Sequence, residues 1–265
     1  MILSLLSPVW AYRGFVLGNV KREFQIKYRN SILGAAWNVI NPLAMIVVYT
    51  VIFAELMRAK LPGVDGTFAY SIYLCAGTLA WGLFTEIVNR GQTMFLDNAN
   101  LLKKISFPRL CLPVAVVANA LVNFGLVFGL FVAFLLLTNN FPGLPFIATI
   151  PLIGLLVLFA VGLGMVLGVL NVFFRDVGQF FGIFITFWFW FTPIVYPANI
   201  LPNRIKDAMD WNPMAPILGA LQGVLVRSEW PHWENLAYPA VLALLLCGLG
   251  LRLFRKHAGE MVDEL

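Results

Sequence analysis

Residues 110–137 and 147–174 carry no charged side chain. An apolar run of about 20 residues, rising about 1.5 Å per residue as a helix, crosses a hydrocarbon core of about 30 Å. Water cannot satisfy backbone groups at that depth, so a lipid-exposed segment must be a helix or part of a closed barrel. These runs are too long for barrel strands, and the expectation is all-α. Four more runs are long enough to span, over 33–56, 69–88, 177–196 and 235–253. The whole reads as an all-α polytopic membrane protein with six transmembrane helices, one transmembrane domain over 1–265. Composition agrees. Only 12% of the residues are charged and 60% are hydrophobic, against about 25% and 45–50% in soluble domains.

The segments between the runs set the topology. Lys and Arg favour the cytoplasmic side. Thirteen of the 18 fall on one side: Arg13, Lys21, Arg22, Lys27, Arg29, Arg90, Lys103, Lys104, Arg109, Arg175, Arg252, Arg255 and Lys256. The other five are Arg58, Lys60, Arg204, Lys206 and Arg227. Both termini are therefore expected in the cytoplasm, as an even number of spans requires. The net charge of +5 serves orientation, and no nucleic-acid partner is expected. The apolar start over 1–9 lacks a basic n-region and a cleavage site, so it is expected to belong to the mature chain.

Residues 8–30 pattern as an amphipathic helix. Val9, Tyr12, Val16, Val20 and Phe24 recur at helical spacing among basic residues, which places it in the membrane interface. Residues 197–233 hold Pro197, Pro202, Pro213, Pro216 and Pro231. They are too polar to span and too long for a turn. A re-entrant helical segment before the last span is the expectation, since irregular backbone at membrane depth survives only against protein or a water-filled cavity.

The chemistry is defined mostly by exclusion. No Lys is followed by Ser or Thr, so no phosphate-binding loop is present and the chain is not expected to hydrolyse ATP by itself. Glu55, Glu86 and Asp176 sit near span ends, leaving no buried carboxylate chain for proton coupling. Cys75, Cys111 and Cys247 form no C-x-x-C pair, and His232 and His257 lie far from any cysteine cluster, so neither a metal site nor a catalytic cluster is expected. Two features remain. Phe187-Trp188-Phe189-Trp190-Phe191 faces every direction of a helix, so some rings point to lipid and some inward, where aromatic faces stack on the C–H faces of sugars. The loop over 89–108 contains Leu101-Leu102-Lys103-Lys104, a short basic helix of the kind a docking ATPase grips.

Four stretches together resemble one family. These are Lys27-Tyr28-Arg29-Asn30-Ser31-Ile32-Leu33-Gly34 with Trp37 and Pro42; residues 101–113; Phe174-Arg175-Asp176-Val177; and Thr192-Pro193-Ile194-x-Tyr196 with Asn212-Pro213 downstream. In this order they are similar to the permease subunit of polysaccharide-exporting ABC transporters, which move lipid-linked O antigens, capsules and teichoic acids. The resemblance implies a second copy of the chain and two ATP-binding subunits as partners. ATP and magnesium would be held by those subunits and no cofactor by this chain. It implies a coupling helix at about 93–105, with Lys103, Lys104 and Phe107 taking up ATPase motion. The helix over 8–30 would gate entry, with Arg13, Lys21 and Arg22 meeting the lipid diphosphate. Trp37, Trp188, Trp190 and Tyr196 would contact sugar in the channel. The cargo would be a polyprenyl diphosphate-linked polysaccharide, O antigen first. Three rival readings are a permease of the same fold exporting a drug or small lipid, separable by neighbouring glycosyltransferase genes; a self-sufficient porter or channel, separable by transport without an ATPase; and a membrane-embedded transferase, disfavoured by the missing catalytic cluster.

Overall fold

The computed structural model describes residues 12–28, 37–52, 66–104, 111–198 and 209–264, with Leu61, Pro202 and Lys206 between them. Among these residues every regular element is helical. In chain order they are α1 (Arg13–Tyr28), α2 (Trp37–Tyr49), α3 (Ala69–Asp97), α4 (Ala99–Lys104), α5 (Cys111–Leu137) and α6 (Thr149–Phe173). Then follow α7 (Asp176–Trp190), α8 (Met214–Arg227), α9 (Ala237–His257) and α10 (Glu260–Glu264). Short 3-10 turns, Leu144–Ala148 and Trp233–Leu236, lead into α6 and α9.

Among the described residues, four helical stretches are long and apolar enough to cross a membrane: Ala69–Asp97, Cys111–Leu137, Leu144–Phe173 and Trp233–His257. They correspond to the second, third, fourth and last expected spans. In the first and fifth, the described helices are shorter. α2 has 13 residues and α7 has 15, so α7 rises only about 22 Å. One boundary moves outright. Residues 89–97, expected in a loop, continue α3 as helix to Asp97, which carries Arg90 on the bundle itself.

α3 and α6 form the centre, with α5 and α8 against α3 and α9 against α6. Lipid tails are as apolar as leucine, so helices here associate through close packing rather than hydrophobic exclusion. The glycines show where. A β-carbon on Gly91 would stand 2.9 Å from the α-carbon of Gly164, and one on Gly168 would stand 2.5 Å from the carbonyl oxygen of Gly91. Gly162 and Gly250 make the same close approach between α6 and α9. Aromatic rings fill the remaining space, with Phe84 stacked on Phe159 at 5.8 Å and Phe95 on Phe254 at 5.4 Å.

The bundle has two distinct ends. At one, here the basic end, Met94, Phe95, Leu102, Leu112, Val172, Phe254 and Met261 pack together, joining α4 and α10 to four longer helices. At the other, Ile46, Ile72, Phe131, Leu135 and Leu225 pack together. The outward surfaces are apolar: Leu121, Val122 and Leu126 of α5, and Leu244, Leu245 and Leu249 of α9, are exposed, as a lipid-facing wall requires.

Candidate functional site

α7 stops because Thr192 precedes Pro193, and a residue before proline is disfavoured in the α conformation. Residues 192–196 then run as irregular backbone whose carbonyls need donors. Side chains from distant helices supply them. Tyr73 places its hydroxyl 2.9 Å from the carbonyls of both Pro193 and Tyr196, and Tyr70 donates to Val195 at 2.6 Å. Gln222 donates to the carbonyls of Ile194 at 3.4 Å and Tyr73 at 3.3 Å. Thr192 is fully buried and its hydroxyl donates to Trp188 O at 2.8 Å.

Asn212 completes the junction. Its Oδ1 accepts from Trp188 Nε1 at 2.9 Å and from the Met214 amide at 3.0 Å. Its Nδ2 donates to Phe191 O at 3.1 Å and Thr192 Oγ1 at 3.0 Å. One amide side chain thus caps the end of α7 and the start of α8. The Thr192-Pro193 and Asn212-Pro213 pairs, 20 residues apart in sequence, meet here. α8 then runs antiparallel to α3. Asn212 lies beside Trp188, which packs on Trp81, whereas Gln222 lies beside Tyr73.

A cavity of about 730 Å³ opens beside this junction, lined among others by Tyr73, Pro193, Asp210, Gln222, Arg227 and Tyr238. Its size falls within the range of about 300–1,000 Å³ typical of ligand pockets. Arg227 pairs with Glu229 at 3.1 Å on its rim.

The four aromatic residues expected to meet sugar are not equivalent. Trp188 is half-buried with its ring against Trp81, Phe84 and Phe159, and its N–H is taken by Asn212. Trp190 is 61% exposed, on the outward side of α7 with Phe187 and Phe191. Tyr196 is half-buried and donates its hydroxyl to Trp190 O. Trp37 is exposed at the start of α2. Trp188, Trp190 and Tyr196 thus share the junction, while Trp37 stands on another helix.

At the basic end, α1 rests on α5. Arg13, Lys21 and Arg22 are each exposed on it, and Val16 is buried. Arg90 of α3 pairs with Glu23 of α1 and with Glu86 at 3.0 Å, and Asn123 of α5 donates to Glu86 at 2.9 Å. Lys103 is exposed on α4 and Lys104 ends that helix. Phe107 lies outside the described residues, as does most of the Lys27–Gly34 stretch. In the Phe174-Arg175-Asp176 element, Phe174 adopts extended backbone between α6 and α7. Asn171 braces this corner, accepting from the Gly178 amide at 3.1 Å and donating to Gln92 O at 3.0 Å. Among the described residues no cluster of His, Cys, Asp and Glu could hold a metal ion.

Sequence reasoning missed Asn212, Gln222 and Tyr73 as a connected set. The available signal was a polar residue inside an apolar helix, since Gln222 is buried among Leu221, Val224 and Leu225 of α8. It also missed the Glu23–Arg90 pair. Glu86 and Arg90, four apart on one helix face, were its visible half.

Residues 16–226 match the model of the ABC-2 type transporter family. The chain is 27% identical, over the full length of both chains, to an O-antigen export system permease protein of Myxococcus xanthus. It is 28% identical to one of Klebsiella pneumoniae, over 89% of this chain and 88% of that one. It is also 20% identical to a polysialic acid transport protein of Escherichia coli, over 92% and 93% of the two chains. With more than half its length inside the family match, and with its spanning helices packed around the junction described above, the chain belongs to the ABC-2 type transporter family.

Proposed function

We propose that this chain is the membrane-spanning subunit of an ABC exporter that carries a lipid-linked polysaccharide, of O-antigen type, across the bacterial inner membrane. The observation that carries this reading is similarity over the whole length of a relative named for O-antigen export. Two copies of the chain pair, and two separate ATP-binding subunits, which hold ATP and magnesium, dock at the basic end against α4. The basic end faces the cytoplasm with both termini, and α2 and α7 complete six spans. Residues 197–233 enter the membrane from the outside and leave again. The course of α8 beside α3, from the depth of Trp188 to that of Tyr73, supports this.

The exposed aromatic face of α7, with Phe180, Phe187 and Trp190, lines the path between the two copies. There Trp190, with Trp37, Trp188 and Tyr196, meets sugar rings. Arg13, Lys21 and Arg22 meet the lipid diphosphate, since charged donors pair with phosphate oxygens at a membrane surface. Lys103, Lys104 and Phe107 receive the ATPase.

The test is deletion of the gene with staining of surface polysaccharide and analysis of lipid extracts. Loss of surface polymer with lipid-linked polymer accumulating inside supports the reading. An unchanged surface without accumulation overturns it in favour of a small-molecule cargo.

A further inference from the structure

α3 and α4 behave as one lever. Only Asn98 separates them, and it is fixed at both sides. Its Nδ2 donates to Met94 O at 2.8 Å, and its carbonyl accepts from the amides of Leu101 and Leu102, both at 3.0 Å. Leu102 is buried in the basic-end cluster. A push on α4 therefore reaches the last turns of α3 with little slack. Arg90 stands two turns up that helix.

α1 is held more lightly. Among its described side chains only Val16 is buried. Its ion pair to α3 is Glu23 with Arg90, each about one-third exposed. The two carboxylates around Arg90 are held differently. Glu86 is on the same helix as Arg90 and is fixed by Asn123 of α5. Glu23 alone comes from α1. A cleft of about 190 Å³ lies beside the pair, lined among others by Asn19, Asp97, Asn98 and Asn119. Glu23 and Asp97 make it a poor site for an anionic headgroup. Its polar lining instead leaves room and hydration for one side of the pair to move.

We propose that Arg90 is a positioning residue whose pair with Glu23 makes the interfacial helix α1 follow the motion of α3–α4. Glu86 and Asn123 keep the guanidinium aimed, so displacement of the docking helix is passed to α1 as a directed pull rather than lost in side-chain freedom. This rests on the reading of the chain as an ATP-driven permease, and it adds the contact by which ATP-driven motion reaches the entry helix.

The experiment uses the complete transporter, permease with its ATPase, in membrane vesicles. Glu23→Ala is expected to lower polymer export per ATP hydrolysed by about five-fold or more, the lower end of typical coupling between sites. Permease level and basal ATP hydrolysis should stay near wild type. Glu23→Gln, which keeps the size and removes the charge, is expected to lose export as Glu23→Ala does, whereas Glu23→Asp should retain most of it, a split that a merely structural defect would not give. A Glu23→Cys and Arg90→Cys pair should be joined by a bifunctional thiol cross-linker, with a yield that changes when ATP is added. Wild-type export by Glu23→Ala, wild-type export by Glu23→Gln, or a cross-link yield indifferent to ATP each overturns the proposal. The cross-link does not depend on the cargo, so it still responds to ATP if the polysaccharide assignment alone is wrong. If no ATPase copurifies with the permease, it is the function above that has failed.

Discussion

Asn212 contributes four hydrogen bonds to one junction, and its removal leaves four groups short of a partner at once. A buried polar group without a partner costs about 1–3 kcal/mol, less where water reaches it. Asn212→Ala is expected to lower stability by about 2–4 kcal/mol, read as a drop in midpoint on thermal unfolding of the purified permease. Asn212→Asp keeps the acceptor for Trp188 and Met214 while losing both donors, and should fall between Asn212→Ala and wild type. The two tryptophans separate on the same ground. Trp188→Ala removes a ring packed on four others, Trp81, Phe84, Phe159 and Phe184, a change worth about 3–5 kcal/mol in a core, so membrane level and export should fall together. Trp190 is mostly exposed, so Trp190→Ala should lower export with membrane level unchanged, as measured by blotting membranes alongside surface polymer. Unchanged export would remove Trp190 from the sugar path. The sequence marked both residues in one aromatic run. Which ring turns inward was not legible, because it depends on where α3 and α6 lie around α7 rather than on the run itself.

At the scale of elements, the apolar runs located the long helices well, because the lipid leaves the backbone of a spanning segment few alternatives. The end of α3 was misplaced for a related reason. Arg90 and Asp97 look like loop residues to hydropathy, yet a helix can continue past the hydrocarbon with its charges wet or paired, as Arg90 is with Glu23 and Glu86. The Thr192 and Asn212 motifs were legible as separate signals. Their meeting was not, because it is made by side chains reaching across the bundle. The glycines were legible only as composition. In the structure they set how closely α3 and α6 approach, which yields a sharp contrast. Gly91→Val would force bulk against the backbone of Gly164, and overpacking of this kind costs about 1–3 kcal/mol or more. Gly82, on the same helix, is exposed with nothing near the position of a β-carbon, and Gly82→Ala should leave stability within about 0.5 kcal/mol, as surface substitutions usually do. Thermal inactivation of the two variants in detergent distinguishes them, and equal behaviour would mean that the close helix contact is not what holds α3 to α6.

The whole molecule has a polarity that neither its residues nor its helices carry alone. Each long helix delivers one of its ends to the same place: the ends of α3, α6 and α9 and the start of α5 gather at α4 and α10. The exposed cations Lys103, Arg252, Arg255 and Lys256 lie on the helices of that end. Trp230 and Trp233, between α8 and α9, are exposed beyond the other. Cations held at one face and tryptophans at the other suit a bundle fixed in one orientation, with lysine and arginine retained in the cytoplasm and indole rings at the headgroup level. If that orientation is right, single cysteines at the two ends must differ in access. Trp230→Cys should react with a membrane-impermeant maleimide in intact cells once the outer membrane is opened. Lys103→Cys should react only after the inner membrane is permeabilised. The native background is small, because Cys75 and Cys111 are buried and Cys247 is partly covered. Labelling of Lys103→Cys from outside would invert the molecule and place the Glu23–Arg90 pair on the face away from any ATPase. Labelling of both positions from outside would mean an even number of crossings between them, and the short helix α7 would then have to be taken out of the membrane.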